Sequence, residues 1–194
     1  MEKKIFQIQI ALKGFKPKIW RRILVPSDML FSDFHKVIQT TMGWTNSHLH
    51  QFRKNRTRYA PKSQYDDLGF DMDIVNYGNM KISDLLTKEK EKIFYEYDFG
   101  DGREHDIILE KILPFYKKSN YPICLKGKMS YPPDDCGGIW GYSDMLEILK
   151  QPDHEEYEEW MEWVGGEFDP TYFDIGEINE MLKTKDYGCI EIFF

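Results

Sequence analysis

Apolar and polar residues alternate over residues 5–12, with Ile8, Ile10 and Leu12 on one side, and again over 19–25 after Gly14 and Pro17. Alternation with a period of two marks half-buried strands, so these stretches read as an N-terminal β-hairpin closed by Pro26 and Ser27. The period then changes. Phe34, Val37, Ile38 and Met42 recur at helical spacing, with Ser32 placed as N-cap and Gly43 as the stop. A short strand over 49–53 leads into Arg53-Lys54-Asn55-Arg56-Thr57-Arg58, which reads as a loop or hairpin tip. Residues 60–80 are polar and rich in Asp, Asn and Gly, the pattern of a mobile loop, with 71–75 as an added strand.

In the second half, 82–86 reads as one helical turn. Residues 93–99 and 105–113 read as two strands joined across Gly100-Asp101-Gly102, a turn rich in residues that tolerate positive φ. Residues 114–141, with Pro122, Pro132 and Pro133, predict a long irregular connection. Three helices follow: 142–149, a second capped by Asp153 with Glu156 three residues later, and a third over 173–182. A final strand is expected over 190–194. No repeat, low-complexity tract or linker interrupts the pattern, so residues 1–194 read as a single α+β domain. The expected sheet is mixed or antiparallel with helices mainly on one face, and the N-terminal half fits a β-grasp-like arrangement.

Composition narrows this picture. A chain of 194 residues can bury about 70% of its unfolded surface and needs no disulfide or metal to be stable. With 41% hydrophobic and 15% aromatic residues it is globular in kind rather than disordered. No apolar run is long enough to span a bilayer, and the alternating N-terminus is a strand pattern rather than a signal peptide. Cys124, Cys136 and Cys189 are odd in number and show no C-x-x-C spacing, which fits a reducing cytoplasm.

The net charge of -7 hides an asymmetry. Residues 1–62 carry 13 Lys and Arg against three acids, a balance of +10; the rest carry 13 against 30, a balance of -17. Either the basic third meets a polyanion or the two parts face each other and neutralise internally. The second is favoured, because a nucleic-acid binder is usually basic overall.

Four stretches belong together: Ile19-Trp20-Arg21-Arg22-Ile23 with Pro26; residues 42–52, which hold Trp44, His48 and His50; Tyr97-Asp98-Phe99-Gly100-Asp101-Gly102 with Glu104-His105; and Tyr131-Pro132-Pro133-Asp134-Asp135-Cys136-Gly137-Gly138 with Trp140-Gly141-Tyr142. Trp163, Gly166, Phe168-Asp169-Pro170 and Phe173-Asp174 continue the pattern. Over nearly its whole length the chain resembles the Ri-plasmid open-reading-frame-three-like family of uncharacterised proteins, some labelled transposon-passenger and resolvase-like. The resemblance implies no established reaction. The resolvase label finds no support here, since no nucleophilic Ser set among arginines and no helix-turn-helix is present. Where the family pattern has Trp after the hairpin glycine, this chain has Arg103, which implies a more polar or more open site.

Candidate chemistry concentrates in three loops. His48 and His50 stand at i, i+2 and would share a strand face; with His105 and Asp98 they are candidate ligands for a divalent metal, Zn²⁺, Mn²⁺ or Fe²⁺, able to activate water. The bland counterpart is that the histidines hydrogen-bond the turn after Trp44 and that Asp101 stabilises a tight turn. Asp135 and Cys136 follow two prolines and precede two glycines, a loop able to present backbone N–H groups to an anion or Cys136 as a nucleophile, or simply a loop leading into a helix. Arg53, Lys54, Arg56 and Arg58 could contact phosphates but lack interleaved aromatics, which favours solvated loop charge. Glu155, Glu156, Glu158, Glu159 and Glu162 read as the wet face of an amphipathic helix or as an acidic docking surface for a basic partner. Trp160 and Trp163 read as core or groove wall.

Two function classes remain open. One is an intracellular binding or interaction module whose recognition surface is built by Trp44, His48, His50, Asp98, Asp101, Arg103, His105, Asp135, Cys136 and Trp140, with a protein or small-molecule partner and no required cofactor. The other is a metal-dependent hydrolase, phosphoesterase or nuclease-like, using the His/Asp set. Nucleic-acid binding without catalysis is a weaker third, and no membrane partner is expected. The module leads because it requires no coincidence of geometry.

Overall fold

The computed structural model describes residues 3–62 and 74–190. Its first strands, β1 (Lys4–Leu12) and β2 (Trp20–Pro26), pair antiparallel as the alternation predicts. Helix α1 (Phe31–Met42) buries Phe34, Val37, Ile38 and Met42 completely. It begins before Ser32, at Phe31, because extended Leu30 bridges to Lys81 and the Phe31 N–H donates to the Met80 carbonyl. Gly43 ends it in the left-handed region, φ 88°. There a Cβ would strike the Tyr131 ring, so a glycine is required on two counts.

The hairpin β3 (His50–Lys54) and β4 (Thr57–Ala60) turns at Asn55 and Arg56. Strand β5 (Ile74–Asn76) runs parallel to β4; the rest of the predicted 71–75 strand and most of the predicted mobile loop lie outside the described residues. After the single turn of α2 (Ile82–Leu85) come β6 (Lys92–Tyr97) and β7 (Arg103–Pro114). The connection expected to be irregular contains a further strand, β8 (Ile123–Lys128), paired antiparallel with β2. It is a half-exposed edge strand without regular alternation, so its pairing and not its pattern defines it.

Helices α3 (Gly138–Ile148), α4 (Tyr157–Trp163) and α5 (Ile175–Met181) complete the chain. Asp153 is not the cap of α4, because residues 151–156 are spent on turns in which the His154 N–H donates to the Gln151 carbonyl and the Glu156 N–H to His154 Nδ1. Asp174 caps α5, accepting from the Gly176 and Glu177 amides. Of the strand expected over 190–194, only Ile190 is among the described residues.

Among the described residues the strands form one mixed sheet, ordered β5-β4-β3-β6-β7-β1-β2-β8, in an α+β fold. Only the β4–β5 pair is parallel. One face carries the core: Ile8 and Ile10 of β1, Ile107 and Leu109 of β7, and Phe52 of β3 meet α1. The other face is a ladder of charge. Arg22 donates two hydrogen bonds to Glu110, Arg53 and Lys13 both pair with Glu104, and Lys92 pairs with Asp106. With Lys54–Glu91, all of these bridges but Lys92–Asp106 join the basic first third to the acidic remainder. Each partly exposed pair is worth about 0.2–1 kcal/mol. No helix among the described residues is long and apolar enough to cross a membrane.

Candidate functional site

Three loops meet beyond the β6–β7 turn, and one side chain ties them together. Arg103 opens β7 on the core face and is 1% exposed. Its guanidinium lies over the Trp44 ring at 4.5 Å, a cation–π contact. It donates to the carbonyls of Pro132 (3.2 Å) and Pro133 (2.7 Å) and to the carboxylates of Asp101 (2.6 Å) and Asp134 (3.3 Å). Only a planar fork with several donors can reach so many acceptors from one position. The site is therefore more polar than an aromatic would make it, and Arg103 itself closes it.

Each loop is held by its own chemistry. Asn46, at φ 59°, turns the chain after Trp44, and the Ser47 N–H donates to the Tyr97 hydroxyl. Thr45 donates through both its N–H and its hydroxyl to Asp134, 89 residues away. In the β6–β7 turn Asp98 adopts φ 57°, and its Oδ1 accepts from the Gly100 and Asp101 amides. In the third loop Asp135 (φ 59°), Gly137 and Gly138 (φ 82° and 67°) lead into α3. A Cβ on Gly138 would collide with the Asp101 carbonyl, so this glycine lets the third loop touch the second.

His48 Nε2 stands 3.2 Å from Asp135 Oδ1 and 3.8 Å from Asp98 Oδ2, and one donor atom from each residue lies within 4.8 Å of the others. The expected set of His48, His50, His105 and Asp98 does not converge. His48 precedes β3 in irregular backbone, so the same-face rule for i, i+2 does not apply to it. His50, within the strand, faces the core: its ring stacks on His35 at 3.5 Å and its Nε2 meets the Tyr77 hydroxyl at 2.5 Å. His105 lies opposite Tyr95, edge-on to Trp44, and is fully buried. Burial holds the imidazoles of His35 and His105 down to about 4 and that of His50 well below its ordinary value.

Cys136 is buried, its thiol facing the Gly138 carbonyl at 3.6 Å, and burial pushes it up to about 11. A buried thiol held in this way is the ordinary state of a structural cysteine. Trp140 is 78% exposed on the first turn of α3. Of the basic hairpin, Arg53 and Lys54 are engaged by Glu104 and Glu91, while Arg56 is exposed at the tip.

Beside the loop cluster opens a cleft of about 730 Å³. Trp44, Tyr131, Trp163, Phe168 and Phe173 contribute to its walls, and Asp134, Glu167, Asp169, Asp174 and Glu177 to its lining. Its cation, Arg21, is buried beneath the Phe173 ring and donates to the carbonyls of Trp20, Thr41, Lys128 and Met129. Sequence reasoning did not single out Arg21, Tyr131 or Asp134; all three lie in the quoted motifs, which was the available signal.

A mixed sheet with helices on one face, three loops clasped around a buried arginine and an adjoining aromatic cleft define an α+β protein of one recurring architecture. The chain belongs to the plasmid pRiA4b ORF-3-like protein family, whose profile matches residues 4–177. It is 32% identical over 180 residues to the uncharacterized protein y4hQ of Sinorhizobium fredii (strain NBRC 101917 / NGR234), covering 92% of this chain and 90% of that protein. It is also similar to the crystal structure of MM3350, a protein of unknown function from Methanosarcina mazei Go1, with a TM-score of 0.80 and 38% identity over 91% of this chain and 98% of that one.

Proposed function

We propose that this chain is a binding module that seats a basic, apolar segment of a partner protein in the cleft bounded by Trp44, Tyr131, Trp163 and Phe173. The observation that carries the reading is the mismatch between lining and charge. Five carboxylates surround aromatic walls, and the arginine among them is spent on backbone carbonyls. A Lys or Arg beside an aliphatic or aromatic side chain complements both features. The volume falls within the range of about 300–1,000 Å³ usual for binding sites. A peptide suits it because apolar side chains stay exposed around the cleft: Trp163, Tyr172 and Met181 are each more than two-fifths exposed. The acidic α4 adjoins it through Trp163 and extends the field.

The test is a calorimetric titration of short peptides of fixed apolar content and varied charge. Basic peptides should bind, weaken as salt rises, and lose most of their affinity in Trp163→Ala and part of it in Glu167→Gln. Equal binding of acidic and basic peptides, or binding unchanged in Trp163→Ala, refutes the reading.

A further inference from the structure

Charge around Arg103 does not balance. Three carboxylates, Asp98, Asp101 and Asp134, face one guanidinium, and a fourth, Asp135, stands beside His48. Asp101 and Asp134 take its direct hydrogen bonds. Asp98 and Asp135 are left facing each other across His48. Asp98 is held there: its side chain is 8% exposed, and with Oδ1 fixed by two amides its Oδ2 points toward the imidazole. His48 Nε2 is shielded from solvent and has no hydrogen-bond partner, although a carboxylate oxygen lies 3.2 Å away. A nitrogen without a hydrogen bond, aimed between two carboxylates that Arg103 does not hydrogen-bond, is a coordination set without its centre.

We propose that His48, Asp98 and Asp135 bind one divalent transition-metal ion of the Zn²⁺ or Mn²⁺ type. One imidazole with two carboxylates is a donor set for a borderline-to-hard cation, and a soft, thiolate-preferring ion would find no sulfur ligand in it. Metal–ligand bonds near 2.0–2.2 Å set donor atoms about 3–3.5 Å apart. The His48–Asp135 separation already meets this, and the His48–Asp98 separation of 3.8 Å needs only a small contraction. Arg103 then acts from behind. Its Nε, buried and without a hydrogen bond, lies 3.8 Å from Asp98 Oδ2 and orients that carboxylate as an outer-shell donor. Asp135 has a side chain 71% exposed, so it closes on the ion from the solvent side and leaves coordination positions to water. The site is separate from the cleft and does not rest on the peptide-binding reading.

The test is calorimetric titration of chelator-treated protein with Zn²⁺ and with Mn²⁺, on the parent chain, His48→Gln, Asp135→Asn and, as a control elsewhere on the surface, His154→Gln. One ion of either kind should bind per chain. Affinity should fall by more than about 10-fold in His48→Gln and in Asp135→Asn, the least that loss of even an outer-shell partner costs, and stay unchanged in His154→Gln. Unaltered melting of the metal-free variants shows that the fold is intact. No binding of either ion to the parent chain, or binding that survives both substitutions, overturns the proposal.

Discussion

Two polar clusters, reached from residues only two positions apart in the chain, end up with opposite characters. His50 enters the core, where it joins a largely buried network of His35, Tyr77, Tyr95, Gln39 and Asn46. His48 stays outside, among the carboxylates around Arg103. In the core the hydrogen bonds close on themselves: the Gln39 amide donates to the Tyr95 hydroxyl, which donates to His35 Nδ1, and His35 Nε2–H donates to Asn46 Oδ1. The Asn46 N–H returns to Gln39 Oε1. This tautomer follows from Asn46 Oδ1 being an acceptor only, and the ring of bonds is complete with His35 neutral. Such a network specifies packing and has nothing left to offer a ligand. The outer cluster has two carboxylates and an imidazole nitrogen left over. Polar residues alone do not mark a site; unspent bonding capacity does.

The comparison breaks most severely at Arg103. Arg103→Ala strands Asp101 and Asp134 and two proline carbonyls, and should cost about 3–5 kcal/mol in urea unfolding. A loss below about 1 kcal/mol would mean that the guanidinium does not organise the loops.

Acid should act on the inner cluster next. The folded-state imidazoles of His35 and His105 lie near 4, below their ordinary value of 6.5, so at pH below 6.5 the unfolded chain binds more protons than the folded one. Stability contributed by the neutral rings is complete above pH 6.5 and is lost as pH falls toward 4. The two rings together account for several kcal/mol by pH 4, as an order of magnitude. Denaturant midpoints measured from pH 7 to 4 should show this fall; a flat profile would contradict it.

A smaller effect is expected at His105, whose ring is fully buried. His105→Leu removes one buried titrating ring and should flatten part of the acid profile while changing stability at pH 7 by no more than about 1 kcal/mol. A larger destabilisation would show that the imidazole makes an interaction worth more than its burial costs. Smallest of all is Asp135→Asn, an exposed change that should move metal-free stability by no more than about 0.5 kcal/mol. It thereby separates the outer cluster, where substitutions alter binding, from the inner one, where they alter folding.

Much of the fold was legible because burial on one side leaves a periodic record. Alternation marked β1 and β2, the Gly100-Asp101-Gly102 turn between two strand-like runs marked β6 and β7, and the three-to-four spacing of Phe34, Val37, Ile38 and Met42 marked α1. Strand β8 left no such record, because an edge strand with exposed residues is defined by its partner. The three loops that meet were also legible as unusual, through their prolines, glycines and aspartates. Which of their residues would touch was not. His48 and His50 looked equivalent until the start of β3 separated them, and Asp134 looked no different from Asp135.

The order of strands and helices, the core face of α1 and the family likeness were thus set down in local pattern, because each depends on neighbours within a few residues. The cleft, the fate of each histidine and the division of four carboxylates between a guanidinium and an imidazole were decided only by tertiary structure. The contacts that decide them, such as Thr45 with Asp134 and Arg103 with Asp134, join positions 89 and 31 residues apart, where no local periodicity reaches.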